Sequence, residues 1–124
     1  MIFLLEDDYD KYKWFKEQWP ELLYATNVTD AVELLQDNDD IDVIFLDYDL
    51  SMAYSIMRGS PGTGLELAEE MVKLGLHTNT RIVIHSSSYS GAESIAKALA
   101  STHNNVTIQP YNYLQVVVQE GNFT

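Results

Sequence analysis

The chain contains no cysteine. Disulfides and thiolate metal sites are therefore excluded, and the composition fits a reducing cytoplasm. Bases are scarce: seven Lys and Arg stand against nineteen Asp and Glu, for a net charge of −12. Duplex nucleic acid is held largely by Lys and Arg neutralising phosphates, so general DNA or RNA binding is not expected. A few nucleotides, or one phosphate held through a metal, remain compatible with that charge. No apolar run approaches the ~18 residues needed to span a bilayer, so no membrane partner is expected. The opening "MIFLLEDD" lacks a basic n-region and meets carboxylates after five residues, which argues against a signal peptide. Internal repeats, low-complexity tracts and linkers are also missing.

What is present is a 46% apolar chain of 124 residues, enough for one domain, 1–124, with a real core. Short apolar strands alternate with helices. "MIFLL", "LLYAT", "DVIFLD", "RIVIH" and "NVTIQ" read as strands. "YDKYKWFKEQW", ended by Pro20, reads as the first helix, and "TDAVELLQD" as the second, with Thr29 as N-cap. "TGLELAEEMVKLGL" is amphipathic, with Leu65, Ala68, Met71 and Val72 as its stripe and Thr63 as a cap. "SGAESIAKALAS" follows with Ser90 as its cap. "YNYLQVVVQEG" closes the series, although Val116 to Val118 also suit a strand. Such alternation predicts an α/β, flavodoxin-like doubly wound fold: a five-stranded parallel sheet, order 2-1-3-4-5, with helices on both faces.

In that architecture ligands sit outside the carboxyl ends of the strands, where strands 1 and 3 are neighbours. Five acids of this chain fall there. Strand 1 runs into "LLEDD", with Glu6, Asp7 and Asp8; strand 3 runs into "VIFLDYDL", with Asp47 and Asp49. Two charges ~4 Å apart repel by about 4 kcal/mol at an effective dielectric near 20. Either some are protonated or a cation lies among them. A hard divalent ion, Mg²⁺ or alternatively Mn²⁺, suits an oxygen-only site, with Asp7, Asp8, Asp47 and Asp49 as candidate ligands. Strand 4 ends "VIHSSS", which would bring His85 as general acid or base and Ser86 as a phosphate-orienting hydroxyl. Ser87 and Ser88 are assigned to the turn and helix cap. His77 and His103 fall at the opposite end of the sheet and read as surface residues. The long loop "SMAYSIMRGSPGTG" brings Arg58 as a candidate phosphate clamp, and Thr63 and Gly64 as backbone donors at a helix start.

These strand ends resemble the response-regulator receiver family. "LLEDD" is similar to its acidic pair, here Asp7 and Asp8. "VIFLD" is similar to its acceptor strand, here with Asp47, and the Asp49 carbonyl would be the third metal-ligand position. Receivers carry a lysine before a proline after strand 5; this chain has Gln109-Pro110. A second resemblance is narrower. "LDYDL", "TG" at Thr63-Gly64 and "HSSSYSGAES" resemble, in order, the motifs of the cyclic-phosphate-processing receiver-like domains common in phages and bacteria. That resemblance implies action on a phosphate ester such as a cyclic phosphate at an RNA end, in a bacterial or phage-infected cell. The family's "LDHDL" histidine is Tyr48 here, and a phenol with pKa near 10 is a poor proton shuttle at pH 7.

The leading expectation is a receiver-like protein with a divalent-metal acidic pocket that acts on or binds a phosphate ester. The alternative is a non-catalytic acidic module that binds a basic protein partner. A phosphoacceptor receiver ranks third, because Gln109 carries no charge.

Overall fold

The computed structural model describes residues 1–51 and 60–123. Five strands and five helices alternate: β1 (Ile2–Leu5), α1 (Tyr9–Gln18), β2 (Leu23–Ala25), α2 (Val28–Asp37), β3 (Val43–Leu46), α3 (Gly64–Leu74), β4 (Arg81–Ile84), α4 (Tyr89–Leu99), β5 (Val106–Ile108) and α5 (Tyr111–Gln119). The strands form one parallel sheet in the order β2-β1-β3-β4-β5. The doubly wound fold read from the alternation is the fold observed.

Every residue of β3 is buried, as a central strand covered on both faces requires. Its side chains alternate between two apolar layers. Ile44 and Leu46 join Leu5, Leu67, Met71, Ile84 and Ile95 on the face covered by α2, α3 and α4. Val43 and Phe45 join Leu4, Phe15, Val83 and Leu114 on the face covered by α1 and α5. Truncating a fully buried leucine such as Leu46 to alanine should cost about 2–5 kcal/mol.

The helix starts correct two expectations. The cap of α2 is Asn27, not Thr29: its Oδ1 accepts from Asp30 N–H at 2.8 Å, leaving Thr29 inside the first turn. The cap of α4 is Ser88, as its assignment to the turn and helix cap expected, and not Ser90: its Oγ accepts from Gly91 N–H at 3.1 Å. In both, the capping side chain reaches the amide three residues on, and Thr29 and Ser90 each lie two residues past the observed cap. Thr63 does cap α3, accepting from Glu66 N–H. The stripe of α3 is centred on Leu67, Ala68 and Met71, with Leu65 and Val72 at its flanks. The three valines of the last segment lie in α5. His103 is not a surface residue. It is buried and bonds the Leu76 carbonyl oxygen at 2.8 Å, while half-buried His77 bonds that of Leu35.

Candidate functional site

Register builds the site. Leu5, Leu46 and Ile84 lie side by side across β1, β3 and β4. The next residues along are Glu6, Asp47 and His85, still tied to the sheet: Asp47 N–H donates to Leu5 O at 3.1 Å, and His85 N–H to Leu46 O at 3.0 Å. Side chains alternate along a strand, so these three project to the face of Leu4, Phe45 and Val83, beneath α1. They come together there, each offering one ligand atom within 4.8 Å of the others.

Glu6 is fully buried. Its Oε2 accepts from the backbone N–H groups of Asp7 and Asp8, at 3.0 and 3.1 Å. Its Oε1 lies 2.9 Å from His85 Nε2. Desolvation raises the Glu6 pKa against the pull of those amides and of Lys11. Asp47, 6% exposed, is pushed up to about 6, chiefly by burial and then by the Glu6 charge beside it. The hydrogen bond between the two carboxyl groups lowers the Glu6 pKa and raises that of Asp47.

His85 is wholly buried against Phe15 and Phe45, and burial pulls its pKa down to about 4. The neutral ring donates through Nε2–H to Glu6. Nδ1 has no hydrogen-bond partner among the described residues. That tautomer leaves a bare lone pair in the apolar pocket, a lesser penalty than an orphaned N–H.

Above this layer opens a crevice of about 340 Å³, lined by Glu6, Asp7, Asp8, Lys11, Asp47, Asp49 and Ser86 to Ser88. It unites the acids of strands 1 and 3 with Ser86. Asp8 is half-buried and also caps α1, accepting from Asp10 N–H at 2.9 Å. Asp49 is exposed; its carboxylate accepts from Ser51 N–H at 2.9 Å, and that bond lowers its pKa. Ser86 is buried, with Oγ accepting from Ser88 N–H at 3.1 Å.

Other expected site residues lie elsewhere. His85 does not line the crevice and meets it only through Glu6 and Asp47. Gly64 is buried, and its N–H donates to Tyr48 O at 2.8 Å. A Cβ there would collide with the Asp47 carbonyl oxygen, so glycine is what lets α3 seat against the end of β3. Thr63 Oγ1 is engaged in its cap. Tyr48 turns to the opposite face and packs on α4, where a Cβ on Gly91 would come within 2.5 Å of its ring. Gln109 bonds Thr107 Oγ1. Arg58 lies outside the described residues.

Sequence reasoning missed Lys11, and it ranked Asp7 and Asp8 above Glu6. The helical spacing Lys11 to Phe15 was the available signal for the lysine. Phe15 faces the core, so a residue four positions earlier shares its face and leans toward the helix N-terminus, over the strand ends.

Residues 2–101 match the family model described as the cyclic-phosphate processing receiver domain. The chain is also similar to solved receiver structures. A CheY-like receiver domain from Methylobacillus flagellatus matches at 18% identity and a TM-score of 0.62, over 96% of this chain and 95% of that one. The receiver domain of NtrX from Brucella abortus matches at 21% identity and 0.61, over 100% and 99%. The phosphorylated cyanobacterial phytochrome response regulator RcpA matches at 19% and 0.64, over 98% and 87%. At these identities the likeness speaks for the fold. No curated protein matches the chain. The family model spans most of the sequence and all three strand ends that meet at Glu6, Asp47 and His85, and the chain belongs to the cyclic-phosphate-processing receiver domain family.

Proposed function

We propose that this domain binds a phosphate ester at the crevice through a divalent cation and hydrolyses it, the substrate class being a cyclic phosphate such as that at an RNA end. The observation that carries the reading is the close approach of two buried carboxyl groups, Glu6 and Asp47, with oxygens within 4.8 Å of each other at the floor of an open cleft. Carboxyl groups so placed are held together by a proton or by a cation. The cleft is lined by Asp7, Asp8, Asp47 and Asp49, and the first three carboxylates, with the Asp49 carbonyl in the position the receiver resemblance gives it, would supply the oxygen donors a hard cation takes. Mg²⁺ is the first choice and Mn²⁺ the second. When bound, the cation would polarise a phosphoryl oxygen and activate water.

The residues then divide the remaining work. Ser86 Oγ accepts from Ser88 N–H, which leaves its hydroxyl hydrogen to donate to a phosphoryl oxygen. Glu6 is held in place beneath Asp47 by His85 and two backbone amides. Burial closes His85 to direct contact with a ligand, so it acts as a positioning residue through Glu6 rather than as a general acid at the substrate. Two exposed tyrosines, Tyr9 and Tyr89, directly follow the lining residues Asp8 and Ser88 and favour a nucleotide over a bare phosphate.

The test is turnover of a short RNA ending in a 2′,3′-cyclic phosphate, with Mg²⁺ and with chelator, for the wild type and Asp47→Asn. Turnover that needs both the metal and Asp47 is expected. Turnover unaffected by chelator or by Asp47→Asn would overturn the reading. The position of Asp47 at the end of β3 also suits a phosphoacceptor. Incubation with acetyl phosphate and Mg²⁺ separates the two readings, since only an acceptor gains the mass of a phosphoryl group.

A further inference from the structure

We propose that Lys11 is the phosphate-binding cation of the crevice, delivered from α1 rather than from the end of β5. The inference rests on the phosphate-ester reading above and names the side chain that would grip the anion. Gln109 at the end of β5 carries no charge and turns to Thr107. Lys11, half-buried in the first turn of α1, is the one base among the described residues that line the cleft. Two contacts fix its course. Its Nζ sits 5.3 Å from the centroid of the Tyr111 ring, and it donates to Ser87 Oγ at 3.5 Å. That hydroxyl belongs to the β4–α4 turn, next to Ser86. The ammonium group therefore stands on the serine wall of the cleft, facing the acids of β1 and β3.

The arrangement is a divided anion site. The acid wall suits a cation, and the serine wall presents an ammonium and hydroxyls, which suit phosphate oxygens. Five carboxylates line the same cleft, so an anion entering without such a partner would be repelled. Lys11 also lies close enough to the floor for its charge to act on both Glu6 and His85. Its weak hydrogen bond to Ser87 leaves further N–H donors for a phosphate oxygen, because an ammonium carries three.

The test uses isothermal titration calorimetry on the full chain with two probes: Mg²⁺ alone, then 2′,3′-cyclic AMP at saturating Mg²⁺. Lys11→Met keeps the stem that packs on Tyr111 and removes the charge; Lys11→Arg keeps the charge. For Lys11→Met, cyclic AMP affinity should fall about tenfold or more while Mg²⁺ affinity does not fall. Lys11→Arg should stay much nearer the wild type. Equal cyclic AMP binding by Lys11→Met and the wild type would overturn the inference and leave the metal–phosphate reading standing. Wild type that binds Mg²⁺ but not cyclic AMP would overturn both. A Lys11→Met variant that loses Mg²⁺ and cyclic AMP alike would assign Lys11 to the architecture of the cleft and overturn the inference.

Discussion

His85 Nε2 lies 2.9 Å from Glu6 Oε1, and both side chains are fully buried. This pair forms the base of the crevice. It fixes the Glu6 carboxylate from below while the Asp7 and Asp8 amides fix it from the side. His85→Phe fills the ring space among Phe15 and Phe45 but strips one donor from Glu6. The variant should lose about 1–3 kcal/mol of stability at neutral pH, read by urea denaturation. A neutral or stabilising effect would show that Glu6 does not depend on the imidazole.

Asp47 should act against stability in the absence of metal. Its pKa is raised from 3.8 to about 6, so the folded state binds its proton more tightly than the unfolded chain does. Its favourable contribution is complete below pH 3.8 and is lost as pH rises through 6. Asp47→Asn removes that titration. In chelator the variant should gain on the wild type between pH 4 and 6.5, then level off at up to about 3 kcal/mol, from (6 − 3.8) units at 1.36 kcal/mol each. His85 works with the opposite sign: its pKa is lowered to about 4, so its contribution is present above 6.5 and lost as pH falls toward 4. Asp47 raises the His85 pKa and lowers that of Glu6, so the difference between the two pH curves reports Asp47 together with its coupling to those groups. Adding Mg²⁺ should raise the wild-type melting temperature and leave that of Asp47→Asn nearly unchanged, because ligand binding stabilises only the form that binds. An Asn variant no more stable than the wild type at pH 7 would contradict the buried-carboxyl account.

The sheet and the carboxylate-rich strand ends were legible because both depend on short-range pattern. Continuous apolar runs such as Val43–Leu46 announce strands buried on both faces, and their acids fall at the ends by position alone. Period-two alternation would also have separated Asp47 from Tyr48, which the structure sends to opposite faces of the sheet. Burial was harder to read. His85 and Glu6 are polar, and nothing local marks them as interior partners 79 residues apart. Lys11 was missed for the same reason, since its place depends on how α1 crosses the strand ends. The α2 cap was misread, and the α4 cap was divided between Ser88 and Ser90, because Thr29 and Ser90 are also good capping residues and geometry alone chose Asn27 and Ser88.

Gly64 couples the α3 start to the site. A side chain there would strike the Asp47 carbonyl oxygen, a backbone atom that cannot rotate away. Gly64→Ala should destabilise by about 1–3 kcal/mol and weaken Mg²⁺ binding as the end of β3 is displaced. Gly75→Ala is the control: its added Cβ meets nothing within 4 Å, although its φ of +65° still carries backbone strain. Gly75→Ala should therefore lose stability without losing Mg²⁺ affinity. Equal Mg²⁺ affinity in Gly64→Ala and the wild type, by calorimetry, would disconnect the α3 start from the proposed cation site.

Tyr9 and Tyr89 are 69% and 77% exposed, each at the first residue of a helix whose capping residue lines the cleft. If the cleft takes a nucleotide phosphate, as proposed above, aromatic side chains this exposed next to its lining residues would serve as stacking platforms for bases, an interaction worth about 1–3 kcal/mol per base. Replacing either by alanine removes little from the core, so folding should be unaffected. Tyr89→Ala and Tyr9→Ala should each weaken binding of an RNA ending in a 2′,3′-cyclic phosphate by about fivefold or more. Inorganic phosphate, which has no base to stack, should bind both variants as it binds the wild type. Equal losses for RNA and for inorganic phosphate would place the tyrosines in the structure of the cleft. No loss for either ligand would mean that the base lies elsewhere.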